Sequence, residues 1–207
     1  CPFLVHVLPT TIDPALSHIQ GTGMWSGLVG TLCSVKIRTF DQQSNPMRYS
    51  ASSVVVEVTD PNGHLLTVKL EDHLDGTYTA SYIPLSGGDF TLYAAVSDVP
   101  IKGTPWLVTI KADDTKVDVS RTSLTDRDDC LNPDKRLTVG TEYGFFMVSY
   151  DTYGNRMKTG KIKFEAELKG PVLEKVIILD NENGMYTGTF SFRWSGTYVL
   201  KVYCLGN

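Results

Sequence analysis

The chain repeats a set of turn motifs along its length, and this duplication limits the folds that it can adopt. Three motifs of the first half recur in the second: DQQSNPM at 41–47 as DTYGNRM at 151–157, DGTY at 75–78 as NGMY at 183–186, and GDF at 88–90 as GTY at 196–198. The offsets are 110, 108 and 108 residues. Three matches in the same order, at nearly one offset, indicate a tandem duplication of one fold.

Each copy has the pattern of antiparallel β-structure. Short runs rich in β-branched residues alternate with breaks rich in Gly, Pro, Asp and Asn, and no stretch longer than one turn keeps a helical period. In the first copy, this pattern predicts strands at residues 16–20, 33–40, 54–59, 65–70, 77–82, 90–96 and 106–111. Seven short strands at this spacing are typical of an all-β sandwich or barrel.

Charge distribution places a boundary between the two copies. Residues 1–110 carry five Lys/Arg against nine Asp/Glu, whereas residues 111–207 carry fourteen of each. This shift predicts a domain boundary near Lys111. The net charge of −4 argues against a nucleic-acid partner, since phosphate binding requires a basic stripe. No apolar run approaches the roughly 20 residues of a membrane-spanning helix, so we expect no membrane insertion by this stretch.

The sequence contains no motif for catalysis or cofactor binding. None of the four histidines has another His or Cys at metal-ligand spacing, and there is no C-x-x-C, nucleophile elbow or phosphate-binding loop. The acidic runs at 125–129 and 180–184 lack the spacing of a complete calcium loop. We therefore predict no enzyme, no cofactor and no metal site.

The motifs of the first copy resemble a filamin-type immunoglobulin repeat. The resemblance is carried by GTGMWSGLVG (21–30), CSVKIRTFD (33–41), LDGTYTASYIP (74–84), GDFTLYAAV (88–96) and VPIKGTPWLVTI (99–110). The second copy is similar more loosely, through SYDTYGN (149–155), ENGMYTGTF (182–190) and SGTYVLKV (195–202). It lacks the G-x-G-L signature, which is replaced by an insert, LTDRDDCLNPDKRL (124–137). The resemblance implies two tandem immunoglobulin-like antiparallel β-sandwiches, at residues 9–111 and 112–207.

The same resemblance predicts an unusual arrangement at both ends. Residues 1–8, beginning CPFLVHV, are similar to the last strand of a preceding repeat or form an N-terminal extension. The resemblance also implies that this stretch ends before the last strand of the second repeat. We therefore expect either that another segment completes this sandwich, or that the parent protein continues. In the first case the open sheet edge invites strand exchange or self-association.

The resemblance also implies a non-enzymatic module that binds proteins. In this family, partners often add an extended segment beside the third and fourth strands, here residues 54–59 with 65–70, and 162–168 with 172–179. The candidate partner-binding residues are Trp25, Val56, Val58, Leu66, Val68 and Leu70. Trp25 has two interpretations, a core residue or an exposed anchor in a Gly-rich loop, and the core interpretation is the more typical of a sandwich.

Two branches of the family give different functions. Flowering-plant sperm carry a surface protein with extracellular filamin-like repeats that mediates gamete attachment, and the form of SYDTYGN and the cysteine-bearing insert resemble that branch. The resemblance then implies a membrane-anchored parent with this region on the extracellular face. The alternative is a cytoplasmic filamin-like scaffold that cross-links actin. Tripartite-motif ubiquitin ligases carry a single repeat, and the tandem argues against them.

Four cysteines, Cys1, Cys33, Cys130 and Cys204, allow three full pairings. A Cys130–Cys204 disulfide is the candidate bridge, although it requires the insert to fold back because the two residues fall at opposite ends of the predicted sandwich. An even count does not by itself establish an oxidising compartment.

Overall fold

The computed structural model describes residues 2–50 and 53–205. The chain divides into two compact units, Cys1–Lys111 and Ala112–Asn207. Apart from one 3₁₀ turn at Thr22–Met24, the described elements are all β-strands, so the fold is all-β as predicted.

The strands of the first unit follow the alternation of apolar and polar side chains in the sequence. In Cys33–Arg38, every second residue is buried and the others face solvent, which is the period of a half-buried strand. The strands of this unit are β1 (His18–Gln20), β2 (Ser26–Leu28), β3 (Cys33–Arg38), β4 (Val54–Thr59), β5 (Lys69–Asp72), β6 (Thr77–Tyr82), β7 (Gly88–Val96), β8 (Val99–Pro100) and β9 (Trp106–Lys111).

Two sheets form the first sandwich. One has the order β1-β3-β6-β5 and the other β2-β9-β7-β4, with β8 paired to the far end of β7. All pairs are antiparallel except β2 with β9. The inner faces bury apolar side chains such as Phe90, Leu92 and Val108 between the sheets.

The second unit repeats this architecture with fewer strands. Its strands are β10 (Ser123–Asp126), β11 (Glu142–Val148), β12 (Lys163–Lys169), β13 (Leu173–Lys175), β14 (Ile177–Asp180), β15 (Met185–Ser191) and β16 (Val199–Leu205). They form sheets of order β10-β11-β15-β14 and β13-β12-β16. Its own core includes Phe145, Met147 and Tyr186.

The strand register shows that the two units share one topology. Ile37 pairs with Tyr78 in the first unit, and Met147 pairs with Tyr186 in the second. Likewise Val55 pairs with Ala95 in the first unit. In the second unit Glu165, which is 110 positions after Val55, pairs with Tyr203, which is 108 positions after Ala95. The described part of the second unit has no strand equivalent to β2 or β9.

Two stretches that were predicted as single strands are each divided between the two sheets of their sandwich. In the stretch 65–70, Leu65 bridges Thr59 on one sheet, and β5 then begins at Lys69 on the other sheet. In the stretch 172–179, β13 pairs with β12, and β14 pairs with β15 of the opposite sheet. In both units the chain crosses between the sheets here, and an alternating apolar pattern does not reveal such a crossing.

Two further differences concern the start of the first unit. The predicted strand at 16–20 is shorter, because residues 13–17 form a turn in which the Ser17 N–H donates to the Asp13 carbonyl at 3.1 Å. The stretch 21–30 contains the 3₁₀ turn and β2, so it is an ordered part of the sandwich. The residues that correspond to the G-x-G-L signature, 21–24, therefore form the 3₁₀ turn that leads into β2, the strand that pairs with β9.

The interpretation of residues 1–8 as the last strand of a preceding repeat or an N-terminal extension stays a prediction. Residues 2–8 belong to no strand, and their side chains are exposed. Cys1, the first residue of that prediction, lies outside the described residues.

Candidate protein-binding surfaces

The first repeated motif forms a hydrogen-bonded corner. Asp41 is buried, and its carboxylate accepts N–H groups from Thr10 at 2.9 Å, Gln43 at 3.0 Å and Asn45 at 2.8 Å. Burial alone would raise the pKa of Asp41, but these hydrogen bonds outweigh it and lower the pKa to about 2. The corner ties the start of the unit to the loop after β3.

Asp151 has the same role in the second unit. It is buried and accepts N–H groups from Asp113 at 3.1 Å, Tyr153 at 2.9 Å and Asn155 at 2.8 Å. The repeated D-x-x-[SG]-N motif is thus a structural corner. Its carboxylates are already used inside the protein and are not presented to a ligand.

The low pKa of Asp41 predicts how the stability of the first unit depends on pH. An unfolded Asp titrates near pKa ~3.9, so the folded unit prefers the charged form and loses this stabilisation as the pH falls from ~4 toward ~2. We expect the urea concentration at the midpoint of unfolding of the first unit to stay constant near neutral pH and to fall as the pH is lowered from ~4 toward ~2. In Asp41→Asn, the midpoint should be lower at neutral pH and its slope in that window shallower. An unchanged slope would contradict this role.

The acidic runs close loops. Asp126 accepts the N–H groups of Cys130 and Leu131, both at 2.6 Å, and so fixes the start of the insert. Asp180 accepts the Glu182 N–H at 2.8 Å in the turn before β15. Within residues 2–50 and 53–205, no three His, Cys, Asp or Glu side chains are placed together to hold a metal ion.

The described cysteines are free thiols, and the candidate Cys130–Cys204 bridge is absent. Cys130 donates to the Gly144 carbonyl of β11 at 3.1 Å, whereas Cys204 lies on β16 of the opposite sheet, where it pairs with Phe164. Burial and the neighbouring Asp126 raise the pKa of Cys130 to about 11.

The outer edge of β4 is a candidate binding surface of the first unit. On this strand, the core-facing residues direct their N–H and C=O groups away from β7, as shown by the Val58 carbonyl, which accepts the Leu66 N–H at 2.8 Å. Val54 and Val56 occupy alternate positions of β4 together with Val58, so their backbone groups also point away from β7. Within the described residues, no strand pairs with β4 at these two positions, so their backbone groups are available for an added strand.

Apolar side chains accompany this edge. Leu70 of β5 pairs with the buried Ala80, which places its side chain on the inner face of the sheet, yet it is 39% exposed because β5 is an edge strand. Val56, Leu66 and Val68 are half-buried and pack against the core. A groove of about 740 Å³ lies next to the crossing segment and is lined by residues that include Leu32, Leu66, Ile83 and Leu85.

The structure corrects one predicted site residue, Val58, and decides between the two interpretations of another, Trp25. Val58 is fully buried, so its side chain cannot contact a partner. Trp25 is 65% exposed, so the core interpretation is wrong. Leu32, Ile83 and Leu85 were not predicted; they are exposed and line the groove.

Together, the paired sheets and the crossing segment define each unit as an immunoglobulin-like β-sandwich with open sheet edges. Residues 11–107 match the Filamin/ABP280 repeat family. The first unit is therefore a filamin-type immunoglobulin-like repeat, a non-catalytic kind of domain.

Curated relatives extend the similarity. Mouse filamin-C is 28% identical over 204 residues, which is 97% of this chain and 6% of that protein. Rat tripartite motif-containing protein 3 is 32% identical over 88 residues, which is 42% of this chain and 12% of that protein. The chain thus spans a small part of each relative.

Solved structures share the fold. The Escherichia coli adhesin FdeC has a TM-score of 0.61 at 18% identity, covering 97% of this chain and 63% of that chain. Invasin, a bacterial integrin-binding protein, has a TM-score of 0.60 at 18% identity, covering 93% of this chain and 37% of that chain. At these identities the likeness concerns the fold alone. No helix in the described part of the chain is long and apolar enough to cross a membrane.

Proposed function

We propose that the chain is a non-enzymatic protein-binding module whose first repeat takes an extended peptide as a strand added to β4. The observation that carries this proposal is the outer edge of β4, where Val54 and Val56 direct their backbone groups outward and no described strand pairs with them. An added strand gains backbone hydrogen bonds, and its alternate side chains enter the neighbouring groove.

Within this proposal, the predicted residues divide into two roles. Val56, Leu66, Val68 and Leu70 form the apolar wall next to the edge. Trp25 belongs to a different sheet edge, in the loop that precedes β2, and is a candidate anchor for a second contact. The corresponding strands in the second unit are β12 with β13 and β14.

We further propose that this binding serves cell adhesion on the extracellular face of a membrane-anchored parent, in gamete attachment. The support is the resemblance of the divergent second repeat to the sperm surface branch, together with a fold shared with bacterial adhesins. The alternative, a cytoplasmic scaffold that binds partner peptides, is supported by the similarity to filamin-C along 97% of the chain.

The strand-addition proposal is tested by selecting peptides from a random display library against the whole chain. We expect selected sequences with alternating apolar residues. Leu70→Glu should weaken their binding by roughly tenfold or more, because it places a charge on the apolar wall that a bound peptide would desolvate. Glu71→Gln is the matched control, since Glu71 is the next residue of β5 and faces the opposite side.

Binding is measured by titration of each variant with the same peptide. Equal loss of affinity in both variants, or no loss in Leu70→Glu, would contradict the proposed groove. The adhesion branch is tested with beads that carry the chain, applied to isolated plant gametes. Attachment that is reduced on beads carrying Leu70→Glu supports adhesion, whereas no attachment favours the scaffold.

A further inference from the structure

The outer face of the sheet β1-β3-β6-β5 carries most of the basic side chains of the first unit. On β3, Lys36 and Arg38 alternate with buried residues and point away from the core. Lys69 of β5 lies on the same face, as its register with β6 and β3 shows. Three of the five Lys/Arg in residues 1–110 are therefore on this face, against one of the nine Asp/Glu, Glu71. The face is positive, whereas the other charged residues of the unit are mostly acidic.

These basic side chains are not neutralised within the unit. In the described part of the chain, Lys36, Arg38 and Lys69 form no ion pair. Asp75 lies in the hairpin next to the face, where its carboxylate accepts the Thr77 hydroxyl at 2.6 Å. That hydrogen bond is the main cause of the lowered pKa of Asp75, and Lys36 contributes less. All three cations are thus free to bind an external anion.

An aromatic side chain holds Arg38 in place. The guanidinium carbon of Arg38 lies 5.6 Å from the centre of the Phe40 ring. His18 pairs with Arg38 across β1 and β3, and the centre of its ring lies 5.2 Å from that of Phe40. A cation–π contact of this kind positions the guanidinium and leaves its N–H groups for a carboxylate, which Arg can bind through two parallel hydrogen bonds.

Short side chains separate the basic residues and form a shallow channel along β6. The outward residues of this strand are Thr77, Thr79 and Ser81, and all three are half-buried. The neighbouring strands flank the channel with longer side chains, Lys36 beside Thr79 on β3 and Glu71 beside Thr79 on β5. The strand spans about 20 Å, so the channel has the length of a short extended peptide.

The channel opens into the apolar groove at one end. Ile83 follows the end of β6, and it lines the groove of about 740 Å³ together with Leu32 and Leu85. All three side chains are exposed. Ser81 of the channel and the basic Lys69 line the same groove. The groove and the charged channel therefore form one continuous surface.

We propose that this surface binds an acidic peptide segment of a partner protein. Carboxylates of the segment pair with Lys36, Arg38 and Lys69 along the channel, and an apolar residue at one end of the segment enters the groove. The position of the segment next to Glu71 is uncharged, because a carboxylate there would be repelled. The inference goes beyond the proposed function, since the outer face of this sheet is separate from the edge of β4.

Two features of the surface favour a peptide over an anionic membrane. The groove is recessed, so it accepts a protruding side chain, which a peptide supplies. Glu71 stands on the same face as the three cations and would meet the headgroups of a flat anionic surface, whereas a peptide can place an uncharged residue beside it.

The inference is tested with a short fluorescent peptide in which leucines precede a run of glutamates, and with a second peptide in which the leucines follow the glutamates. Each is titrated into the whole chain, and binding is followed by fluorescence anisotropy. We expect binding at low ionic strength that weakens as salt is added, since the charge pairs are exposed. A peptide with Gln in place of every Glu should bind more weakly. Equal binding of the Gln peptide, or no binding in either orientation, would overturn the inference.

Lys36→Glu should weaken binding of the acidic peptide by roughly threefold or more, because it replaces an attraction by a repulsion in the channel. Lys102→Glu is the matched control: Lys102 is also exposed, it lies in the loop between β8 and β9, and the variant has the same net charge. Glu71→Gln should strengthen binding, since it removes the repulsion on the face. Equal losses in the two lysine variants would show that only net charge matters, and would overturn the inference.

Amide chemical shifts of the ¹⁵N-labelled chain locate the bound peptide. We expect the acidic peptide to shift the amide signals of Lys36, Thr79 and Ile83, which lie along the channel and at its apolar end. Shifts confined to Val54 and Val56 would place the peptide on β4, and would overturn this inference while supporting the proposed function.

Two further measurements separate this inference from its alternatives. Leu70→Glu changes the inner face of β5, so it should weaken library-selected peptides and leave binding of the acidic peptide unchanged. If library-selected peptides fail to bind while Lys36→Glu still weakens the acidic peptide, the proposed function fails and this inference stands. If vesicles of phosphatidylserine and phosphatidylcholine bind through Lys36 and the acidic peptide does not bind, the surface is a lipid contact and the inference is overturned.

Discussion

Replacement of Gly76 by alanine should destabilise the first unit by more than about 3 kcal/mol. Gly76 has φ 80°, a conformation that costs a residue with a Cβ about 1–2 kcal/mol. An added Cβ would also lie 2.6 Å from the Met47 carbonyl oxygen, which is main chain and cannot rotate away. The Gly76 carbonyl meanwhile accepts the Thr39 N–H at 3.0 Å, so any shift of the turn also weakens the junction with β3.

Gly63→Ala is the matched control for this prediction. Gly63 has φ 87°, yet an added Cβ would meet no atom within 4 Å. It should therefore cost only the conformational penalty of about 1–2 kcal/mol. Urea unfolding of the two variants measures the difference, and equal losses would show that the contact with Met47 does not matter. The equivalent glycine of the second unit, Gly184, approaches the Met157 carbonyl in the same way.

Phe90→Ala should reduce the free energy of unfolding of the first unit by about 3–5 kcal/mol. Phe90 is fully buried on β7 and pairs with Val108 of β9, so its removal leaves a cavity between the sheets. Leu107→Ala changes the next residue of β9, which is exposed, and should cost within about 0.5 kcal/mol.

The effect of Phe90→Ala is measured by urea unfolding, followed through the fluorescence of half-buried Trp106. A loss below about 1 kcal/mol would mean that β7 and β9 do not enclose this core. A loss in Leu107→Ala as large as that in Phe90→Ala would mean that the face of β9 is assigned wrongly.

Strand positions with a regular period were predictable from the sequence, and the crossings between sheets were not. Residues 54–59, 77–82 and 106–111 were predicted with the bounds that the structure gives, because alternation and flanking turns define both ends. The stretch 65–70 keeps an alternating pattern while it leaves one sheet and joins the other. Its hydrogen-bond partners depend on tertiary structure, which periodicity does not contain.

The binding site was predicted from family resemblance, as the third and fourth strands, and its role stays a prediction. Val56 lies on β4 and is half-buried, and Leu70 lies on β5 and is 39% exposed. Val58 lies on the same face as Val56, but it is closer to the centre of the sheet and is fully buried. Trp25 is exposed at the end of the 3₁₀ turn before β2, and composition does not determine the direction in which such a turn presents its side chain.

The most direct test of strand addition is amide hydrogen exchange of the whole chain with and without a library-selected peptide. The account predicts new protection of the Val54 and Val56 amides, whose N–H groups face the open edge, and little change at Val55 and Glu57, which already pair with β7. Binding that protects no amide of β4 would contradict the account, because the peptide would then not be an added strand at this edge.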